Sequence, residues 1–430
     1  MTDPTRSPLM CRLLLPLLLV SMSSAVGGAA DWLQFGGPTR DFKVDVTGLA
    51  ASWPEAGPRK LWSRELGEGY SSIAVEGNRL YTMYRIGDRE LVISLDAATG
   101  KTLWEYPYDA PRLTDIPGKP ADYNLEAEPG PHAMPLIVGN LVFTVGASGK
   151  LHCLDKNTGK LVWGRDLHVE FLAPVKKRGY AISPFPYKNT IIVPAGAEGA
   201  SIVAFNQSDG AIVWKKHDYE LAYSFPTLIN VDGQTQLVVF AVDWIVAVNP
   251  DNGDLFWQHP AKSSNGTHVS MPVWGEGNLL FYSAAYGLGG RVLKLTREGA
   301  KTVVQELWHN PRLRLHYSNA IRLGDVIYAS TGDFGPAFFT AFEVKTGKIL
   351  WQDRSIARTS FLYADGRFII LDEDGNLVLA SPSPQGLTIH AQAPILEEHA
   401  RTVPTLVGKT LYVRDRKMMM ALDLSGNHSE

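Results

Sequence analysis

A ten-residue frame that recurs along the chain constrains its fold more than any other feature. The first copy begins at Leu95, reads LDAATGKTLW and ends at Trp104. Four further copies read LDKNTGKLVW (154–163), FNQSDGAIVW (205–214), VNPDNGDLFW (248–257) and FEVKTGKILW (342–351). Self-similarity of this kind indicates a repeat architecture, in which each unit buries its apolar surface against its neighbours.

The residues of the frame are those of a β-hairpin. An Asp or Asn, replaced by Glu343 in the last copy, opens a turn, and a glycine such as Gly100 supplies a position where φ can be positive. Four residues after each glycine, a tryptophan ends a short alternating strand, where its ring can pack against the next unit. The predicted docking residues are Trp62, Trp104, Trp163, Trp214, Trp257, Trp308 and Trp351.

The spacing of these tryptophans predicts the architecture. Successive tryptophans lie 42, 59, 51, 43, 51 and 43 residues apart, and periods of about 40 to 50 residues with four strands each are typical of β-propeller blades. We therefore predict an all-β, eight-bladed β-propeller of four-stranded antiparallel blades. The seventh blade carries His390 where the others have tryptophan, so its docking is expected to be the weakest.

The two ends of the chain are expected to share one blade. Residues 60–66 (KLWSREL) are predicted to form a tryptophan-bearing strand, which is the fourth strand of a blade, but the three strands that should precede it are not found before it. The eighth blade at the other end of the sequence has only three strands. Pairing this closing strand with the final MMMALDL strand would remove the edges that an open ring exposes. Residues 31–59 are predicted to form a strap against the outside of the propeller, and the Pro-rich residues 107–131 a loop over one face.

The first thirty residues differ from the rest. Arg6 and Arg12 precede an apolar run, and small residues follow it as far as Ala30, a pattern typical of a secretory signal peptide. The run is shorter than the roughly 20 residues of a membrane anchor. We expect residues 1–30 to be removed, and residues 31–430 to form one exported domain, periplasmic or secreted, monomeric and without a membrane span. Cys11 precedes the run and is not placed for lipidation.

Composition and motifs argue against several classes of function. A formal net charge of −3 and the absence of a long basic run do not favour nucleic acid as a partner. His132, His268 and His316 lie far apart in sequence, without the short spacing of metal ligands, and the sequence has no Cys-x-x-Cys motif. No metal site is therefore predicted. Neither a Gly-rich phosphate loop nor a nucleophile elbow is present, and no catalytic residue is assigned.

The A-x-D-x-x-T-G-x-x-x-W-like frame resembles the repeat of pyrroloquinoline-quinone-type propellers. That family includes quinoprotein dehydrogenases and non-catalytic relatives such as the propeller lipoprotein of bacterial outer-membrane assembly. Residues 31–44 (DWLQFGGPTRDFKV) also resemble the opening of many secreted bacterial proteins with this repeat. The resemblance covers nearly all of the mature chain and implies its fold. It leaves function open, because the signature marks turns and docking residues.

The dehydrogenases of this family imply a specific cofactor site. Pyrroloquinoline quinone lies there between a tryptophan floor and two adjacent cysteines, with calcium held by Glu and Asn and an Asp base nearby. This chain has no adjacent cysteines and lacks the long insertions that build the pocket, so no cofactor is expected. A small quinoprotein-like oxidoreductase using this quinone with calcium is one alternative, and an envelope or outer-membrane assembly factor is another.

A polar column at the start of the innermost strands suggests a binding site at the channel mouth. The innermost strands can be aligned on a recurring proline, found at Pro135, Pro186, Pro226, Pro272 and Pro404. Three residues before this aligned position, seven of the eight blades carry a polar or aromatic residue. Neighbouring guanidiniums at Arg358 and Arg401 would suit an anionic, carboxylate-bearing ligand. The alternative is that strand ends are polar because a wet channel surrounds them. The candidate ligand-binding residues are His132, Tyr223, His268, His316, Tyr317, Arg358 and Arg401.

These observations favour an exported binding or scaffolding propeller over an enzyme. Its partner would be a small anionic ligand or a protein, bound at the channel mouth.

Overall fold

The computed structural model describes residues 30–111, 130–173, 178–333 and 335–426. Nearly all of the predicted signal peptide and most of the predicted loop over one face lie outside the described residues. Within the described ranges, the chain forms 33 β-strands and one short α-helix. No helix in these ranges is long and apolar enough to cross a membrane.

The strands form eight four-stranded antiparallel blades, and within each blade the first strand lies nearest the channel. Two strands, β1 (Lys43–Val44) and β2 (Arg59–Glu65), precede the first blade. Blade 1 contains β3 (Ala74–Glu76), β4 (Arg79–Ile86), β5 (Arg89–Asp96) and β6 (Thr102–Asp109). Blade 2 contains β7 (Leu136–Val138), β8 (Leu141–Val145), β9 (Lys150–Asp155) and β10 (Leu161–Asp166), followed by helix α1 (Leu167–Phe171). Blade 3 contains β11 (Phe185–Tyr187), β12 (Thr190–Ala197), β13 (Ala200–Asn206) and β14 (Ile212–Lys216).

The remaining blades follow the same order. Blade 4 contains β15 (Thr227–Val231), β16 (Gln234–Phe240), β17 (Trp244–Val248) and β18 (Leu255–Pro260). Blade 5 contains β19 (Val273–Gly275), β20 (Leu279–Ala284), β21 (Gly289–Glu298) and β22 (Lys301–Asn310). Blade 6 contains β23 (Ala320–Leu323), β24 (Val326–Thr331), β25 (Phe338–Glu343) and β26 (Ile349–Asp353). Blade 7 contains β27 (Thr359–Ala364), β28 (Arg367–Asp372), β29 (Asn376–Ser383) and β30 (Gly386–Pro394). Blade 8 contains β31 (Thr405–Val407), β32 (Thr410–Arg414) and β33 (Met418–Asp423), with β2 outside.

The ring closes through the two ends of the chain, as predicted. Strand β2 pairs antiparallel with β33, so that Trp62 lies opposite Ala421 and Glu65 opposite Met418. An ion pair of 2.6 Å between Arg59 Nη2 and Asp423 Oδ2 joins the two strands. The all-β, eight-bladed prediction is therefore confirmed, including the strand that completes the eighth blade.

Apolar residues are buried mainly between neighbouring blades. Between blades 2 and 3, for example, Phe143 and Val145 pack in one cluster with Ile191 and Val193. Similar clusters lie between blades 3 and 4, between blades 4 and 5, and between blades 5 and 6. Each blade is thus a thin sheet that is covered only by its neighbours, which is why a repeat of docking residues specifies the fold.

Each docking tryptophan follows a one-residue bulge in its outermost strand. Trp104 lies opposite Ser94 while Thr102 lies opposite Leu95, so that Leu103 forms the bulge. The indole N–H of Trp104 donates to the carbonyl of Lys156 in the next blade at 2.9 Å. Equivalent bonds to the next blade are made by Trp62, Trp163, Trp214, Trp308 and Trp351. These six rings therefore link their blades to the next one through both packing and a hydrogen bond.

Trp257 departs from this pattern. Its indole N–H donates to Gln236 Oε1 of its own blade at 2.7 Å. The cause lies in blade 5, where β21 and β22 extend into a long hairpin with no short frame turn to receive the indole. Thr302 of that hairpin instead accepts a hydrogen bond from Gln236 at 2.7 Å. The docking contact is kept, but a side chain mediates it.

The frame glycines have a steric function as well as a conformational one. Gly210 has a φ of 70°, and a Cβ atom there would lie 2.7 Å from the ring of Trp163. The tryptophan of one blade therefore lies directly on the turn glycine of the next. The same contact occurs at Gly100, Gly159, Gly253 and Gly347.

The assignment of His390 to the tryptophan position is wrong. In blade 7, Ile389 lies opposite Ala380 and Ala391 opposite Leu379, which places His390 at the bulge. Ala391 is buried and occupies the docking position, whereas His390 is exposed. The hairpin between β29 and β30 has a different turn, so counting four residues from its glycine leads to the wrong register.

The predicted position of the N-terminal strap is also wrong for its first half. Trp32 forms a bridge with Val75 in the innermost strand of blade 1, and the carbonyl of Leu33 accepts from Ile137 in blade 2 at 2.9 Å. Ten residues later, β1 pairs in parallel with β27, the innermost strand of blade 7. The segment therefore crosses the central channel, at the end where the innermost strands finish, because its large apolar residues are buried there.

The second half of this segment leaves the channel for the edge of the ring. The backbone N–H of Ala50 donates to the carbonyl of Leu424 in blade 8 at 2.8 Å, and Trp53 is buried. The chain then enters β2, the outermost strand of blade 8.

Candidate functional site

A pocket lies at the end of the channel where the innermost strands begin. It has a volume of about 120 Å³. Of the seven residues predicted to bind a ligand, the lining includes five, namely His132, Tyr223, His316, Tyr317 and Arg401. All eight blades contribute lining residues, because the start of each innermost strand points to the axis. We call this cavity the mouth pocket.

The floor of the mouth pocket comes from the N-terminal segment. Phe35 lines the cavity together with Phe225. The two rings are stacked, with centroids 3.5 Å apart and an angle of 9° between their planes. Phe35 therefore reaches the mouth pocket from the segment that crosses the other end of the channel. No pattern in the sequence indicates this position of Phe35.

Tyr317 separates the two guanidiniums that were predicted to be neighbours. The guanidinium carbon of Arg358 lies 4.9 Å from the centre of the Tyr317 ring, and that of Arg401 lies 4.8 Å from it. Arg401 also lies 5.6 Å from the Tyr70 ring. Both cations are therefore stabilised by the negative faces of aromatic rings. Only Arg401 lines the mouth pocket.

Arg358 is engaged by the protein itself. Its Nη1 donates to the Tyr317 hydroxyl at 3.2 Å and lies 3.8 Å from the carboxylate of Glu373. Its Nη2 donates to the carbonyls of Asp333 and Gly335. The Tyr317 hydroxyl in turn donates to Glu373. Arg358 therefore holds a loop and Tyr317 in place behind the pocket wall.

His268 is a core residue. It is fully buried, and its ring stacks on Phe240 with centroids 4.3 Å apart. Its Nδ1 lies 2.8 Å from the carbonyl of Ala241, and its Nε2 lies 2.9 Å from the Ser263 hydroxyl. It does not line the mouth pocket.

The two histidines of the pocket are uncharged near neutral pH. Burial, followed by the charges of Arg401 and Arg414, lowers the pKa of His132 to about 4. Burial, followed by the charges of Arg358, Arg178 and Arg401, lowers the pKa of His316 to about 3. His316 Nε2 lies 2.8 Å from the Tyr286 hydroxyl. His132 Nε2 is buried and has no hydrogen-bond partner among the described residues.

Arg178 is a pocket residue that the sequence did not reveal. It lies in the connection between blades 2 and 3, outside the aligned innermost strands, and it lines the pocket. Its backbone N–H donates to the Tyr223 hydroxyl at 3.1 Å. An alignment of strands contains no information on residues in connecting loops.

Hydroxyl side chains one residue further along the innermost strands than the polar column have a structural role. Ser224 donates to the carbonyl of Ser270 at 2.9 Å, and Ser270 donates to that of Ser318 at 2.5 Å. Thr402 donates to the carbonyl of Tyr70 at 3.3 Å. These side chains tie blade 4 to blade 5, blade 5 to blade 6 and blade 8 to blade 1, and in doing so they satisfy backbone carbonyls around the channel.

The mouth pocket does not fit the cofactor that the resemblance implies. No described residue that lines it is acidic, whereas a calcium ion needs oxygen ligands and usually carboxylates. Within the described ranges, no group of three or more His, Cys, Asp or Glu is placed to hold a metal. An engineered cavity of about 150 Å³ holds one benzene ring, and pyrroloquinoline quinone has three fused rings.

Comparison with known proteins points to one family. A family model described as "Outer membrane protein assembly factor BamB" matches residues 49–121 and 115–353. The outer membrane protein assembly factor BamB of Yersinia pestis is 24% identical over 296 residues, which cover 66% of this chain and 72% of that protein.

Two solved structures share the fold. The crystal structure of BamB from Moraxella catarrhalis aligns with a TM-score of 0.58 and 16% identity, over 85% of this chain and 100% of that one. The quinohemoprotein alcohol dehydrogenase of Comamonas testosteroni aligns with a TM-score of 0.64 and 12% identity, over 92% of this chain and 81% of that one. At these identities the likeness concerns the fold alone, so it does not separate a binding protein from an enzyme.

Proposed function

The chain belongs to the family of the outer membrane protein assembly factor BamB, and on this premise we propose that it is an exported scaffold that binds protein partners during outer membrane protein assembly. The observation that carries the proposal is the match of the family model across residues 49–353. The export step rests on the signal-peptide pattern of residues 1–30.

Exposed apolar side chains on the outermost strands support a protein partner. We call them the outer rim. Ten of the 13 exposed large apolar residues among the described residues lie on these strands. Outermost strands also present unpaired backbone groups, to which a partner strand can add. A rim that is both apolar and an edge therefore suits a protein better than a small molecule.

The outer rim is most apolar at blades 2 and 3. Leu161 and Val162 are about half exposed on β10, and Ile212 and Val213 are similarly exposed on β14 of the next blade. Helix α1 follows β10 directly and carries Val169 with 67% of its surface exposed. We place the partner contact on this part of the rim.

A complementation experiment tests the proposal. Deletion of the gene in its own bacterium should lower the amount of folded β-barrel protein in the outer membrane, measured by heat-modifiable migration on gels. The wild-type gene should restore it, and the double variant V162D/V213D should not, because carboxylates on the rim oppose apolar docking.

The matched control is Ile86→Asp. Ile86 is 60% exposed at the end of β4, away from the outer rim, so this variant should complement fully. Circular dichroism of the purified variants must show intact blades. Unchanged levels of folded β-barrel protein in the deletion strain would overturn the proposed function, and full complementation by V162D/V213D would overturn the placement of the contact.

A further inference from the structure

A second cavity lies toward the end of the channel that the N-terminal segment crosses. Its volume is about 250 Å³. One side is formed by the N-terminal segment, at residues 39–41 and Lys43. The other sides are formed by the innermost strands of blades 4, 5 and 6, through Thr227, Leu228, Val273, Trp274, Ala320 and Arg322. We call this cavity the rear pocket.

Arg40 lines the rear pocket with hydrogen-bond donors that the fold does not use. Its Nε donates to Gln34 Oε1 at 2.8 Å, and its guanidinium carbon lies 4.5 Å from the centre of the Phe185 ring. Neither of its Nη atoms donates to a described residue. This edge of the guanidinium carries two parallel N–H groups, which match a pair of oxygens on a phosphate or a carboxylate.

The backbone holds Arg40 in a fixed position. Arg40 and Phe42 both have a positive φ, 61° and 60°, a conformation that non-glycine residues adopt only at a cost. The turn is closed by a hydrogen bond of 2.8 Å from the backbone N–H of Phe42 to the carbonyl of Gly36. Strained backbone of this kind is often found at ligand sites. A residue that is already fixed loses little freedom when a ligand binds.

Arg322 brings a second guanidinium to the rear pocket from blade 6. Its Nε and Nη2 donate to the carbonyls of Gly324 and Glu276 at 2.8 and 3.0 Å. Its Nη1 is buried and has no hydrogen-bond partner among the described residues. The acidic side chains whose charges act on it, Asp325 and Glu276, do not line the pocket. A buried donor without an acceptor is costly, and an oxyanion in the pocket would relieve that cost.

The one acidic residue among the described lining residues is already paired. Asp41 Oδ2 lies 2.8 Å from Lys43 Nζ, and Asp41 Oδ1 accepts from the Thr39 hydroxyl at 2.5 Å. Asp41 and Lys43 therefore balance each other's charge. The two guanidiniums of Arg40 and Arg322 remain without a carboxylate among the described lining residues.

The rest of the rear pocket is apolar and has room for one ring. Leu228, Met271 and Trp274 line it together with two prolines. An engineered cavity of about 150 Å³ holds benzene, so a cavity of about 250 Å³ has room for a ring and an oxyanion. Apolar walls with a few polar groups are the usual form of small-molecule sites, and the indole of Trp274 suits contact with a ring.

We propose that the rear pocket binds a small phosphomonoester. Its phosphoryl group lies between Arg40 and Arg322, and its organic part, no larger than one six-membered ring, lies beside Trp274. Two guanidiniums from separate elements suit a tetrahedral dianion, whereas one fork is enough for a planar carboxylate. This site is separate from the outer rim, and it stands or fails independently of the proposed scaffold function.

Phenyl phosphate is the probe, and isothermal titration calorimetry of the protein comprising residues 31–430 is the assay. Above the second phosphate pKa of about 6, the probe is a dianion. It should bind at one site, whereas benzoate, which has the same ring and a single charge, should bind at least tenfold more weakly. Inorganic phosphate, which lacks the ring, should also bind at least tenfold more weakly. A tenfold difference corresponds to about 1.4 kcal/mol.

Variants locate the site. Arg40→Gln should weaken phenyl phosphate binding at least tenfold, and Arg40→Lys should restore part of it because the charge remains and the fork is lost. Leu228→Trp fills the cavity without changing its charge and should abolish binding. Arg354→Gln is the matched control, because Arg354 also lies over an aromatic ring, 4.4 Å from the centre of Phe338, but does not line the pocket.

The outcomes decide the proposal. No binding of phenyl phosphate at millimolar concentration, equally tight binding of benzoate, or binding that survives Leu228→Trp would each overturn it. Equally tight binding of inorganic phosphate would overturn the placement of a ring beside Trp274. A loss in Arg354→Gln as large as that in Arg40→Gln would overturn the site, because the effect would then come from overall charge.

Discussion

The contact between a docking tryptophan and the turn glycine of the next blade can be isolated by a pair of glycine substitutions. Gly210 and Gly299 both have positive φ, 70° and 63°. A Cβ atom at Gly210 would lie 2.7 Å from the Trp163 ring, whereas nothing lies within 4 Å of one at Gly299. Gly210→Ala and Gly299→Ala therefore share the same backbone cost, and only the first disturbs blade docking.

The magnitudes follow from a backbone cost and a packing cost. An alanine in the left-handed region costs roughly 1 to 2 kcal/mol at either site. Forcing an extra carbon into a well-packed contact costs a further 1 to 3 kcal/mol, typically. We therefore expect Gly210→Ala to lower the free energy of unfolding by about 1 to 3 kcal/mol more than Gly299→Ala.

Urea-induced unfolding, followed by tryptophan fluorescence, measures the difference. The midpoint should fall further for Gly210→Ala while the slope m stays unchanged, since both variants expose the same surface on unfolding. Equal losses in the two variants would refute the reasoning, because the ring would then not lie on the glycine.

Three further predictions concern stability. Trp163→Ala should lower the free energy of unfolding by about 3 to 5 kcal/mol. His390→Ala should change it little, since His390 is exposed at a bulge. Urea titration of both variants measures the difference. Arg414→Met should lower the free energy of unfolding by at least about 2 kcal/mol. The reason is that the fully buried Arg414 of blade 8 donates to the carbonyls of Gly69, Ser71 and Met83 on the side of blade 1. A thermal unfolding curve like that of the wild type would contradict this prediction. Burial raises the pKa of Glu90 even though the Tyr108 hydroxyl and the Arg85 charge lower it. The stabilisation that Glu90 gives the folded state is therefore fully present below its pKa in the unfolded chain, about 4.3. It is lost as the pH rises through the higher pKa that Glu90 has in the folded protein. In Glu90→Gln, the urea midpoint should therefore fall less with rising pH over this range than it does in the wild type. An identical pH profile in the two proteins would contradict the prediction.

The fold could be predicted from the sequence because one frame encodes two things at once. Its glycine forms a turn and also receives the tryptophan of the preceding blade, so turn chemistry and docking repeat together. The closing strand could be predicted because the N-terminal part contains a single tryptophan-bearing strand and the C-terminal part contains three strands, which together make one four-stranded blade. His390 was misplaced because a bulge and a different turn shift the register by one residue.

The candidate site could be predicted only in part. Alignment of the innermost strands indicates how far along a strand a residue lies, and the structure brings five of the aligned candidates to one pocket, namely His132, Tyr223, His316, Tyr317 and Arg401. It does not indicate the direction of a side chain, and Arg358 and His268 turn away into the protein.

Long-range packing explains what the sequence could not predict. Phe35 reaches the pocket because the N-terminal segment is held by strands far away in sequence, in blades 1, 2 and 7. Arg178 reaches it from a connecting loop. Neither position follows from local periodicity or turn chemistry.

Equilibrium dialysis with pyrroloquinoline quinone and calcium, combined with a dye-reduction assay, tests most directly whether this propeller is a binding protein and not a quinone-dependent oxidoreductase. We predict that the protein comprising residues 31–430 retains no quinone at micromolar concentration, and that it reduces no artificial electron acceptor with alcohols or sugars. Stoichiometric uptake of the quinone with sustained turnover of an alcohol would contradict it.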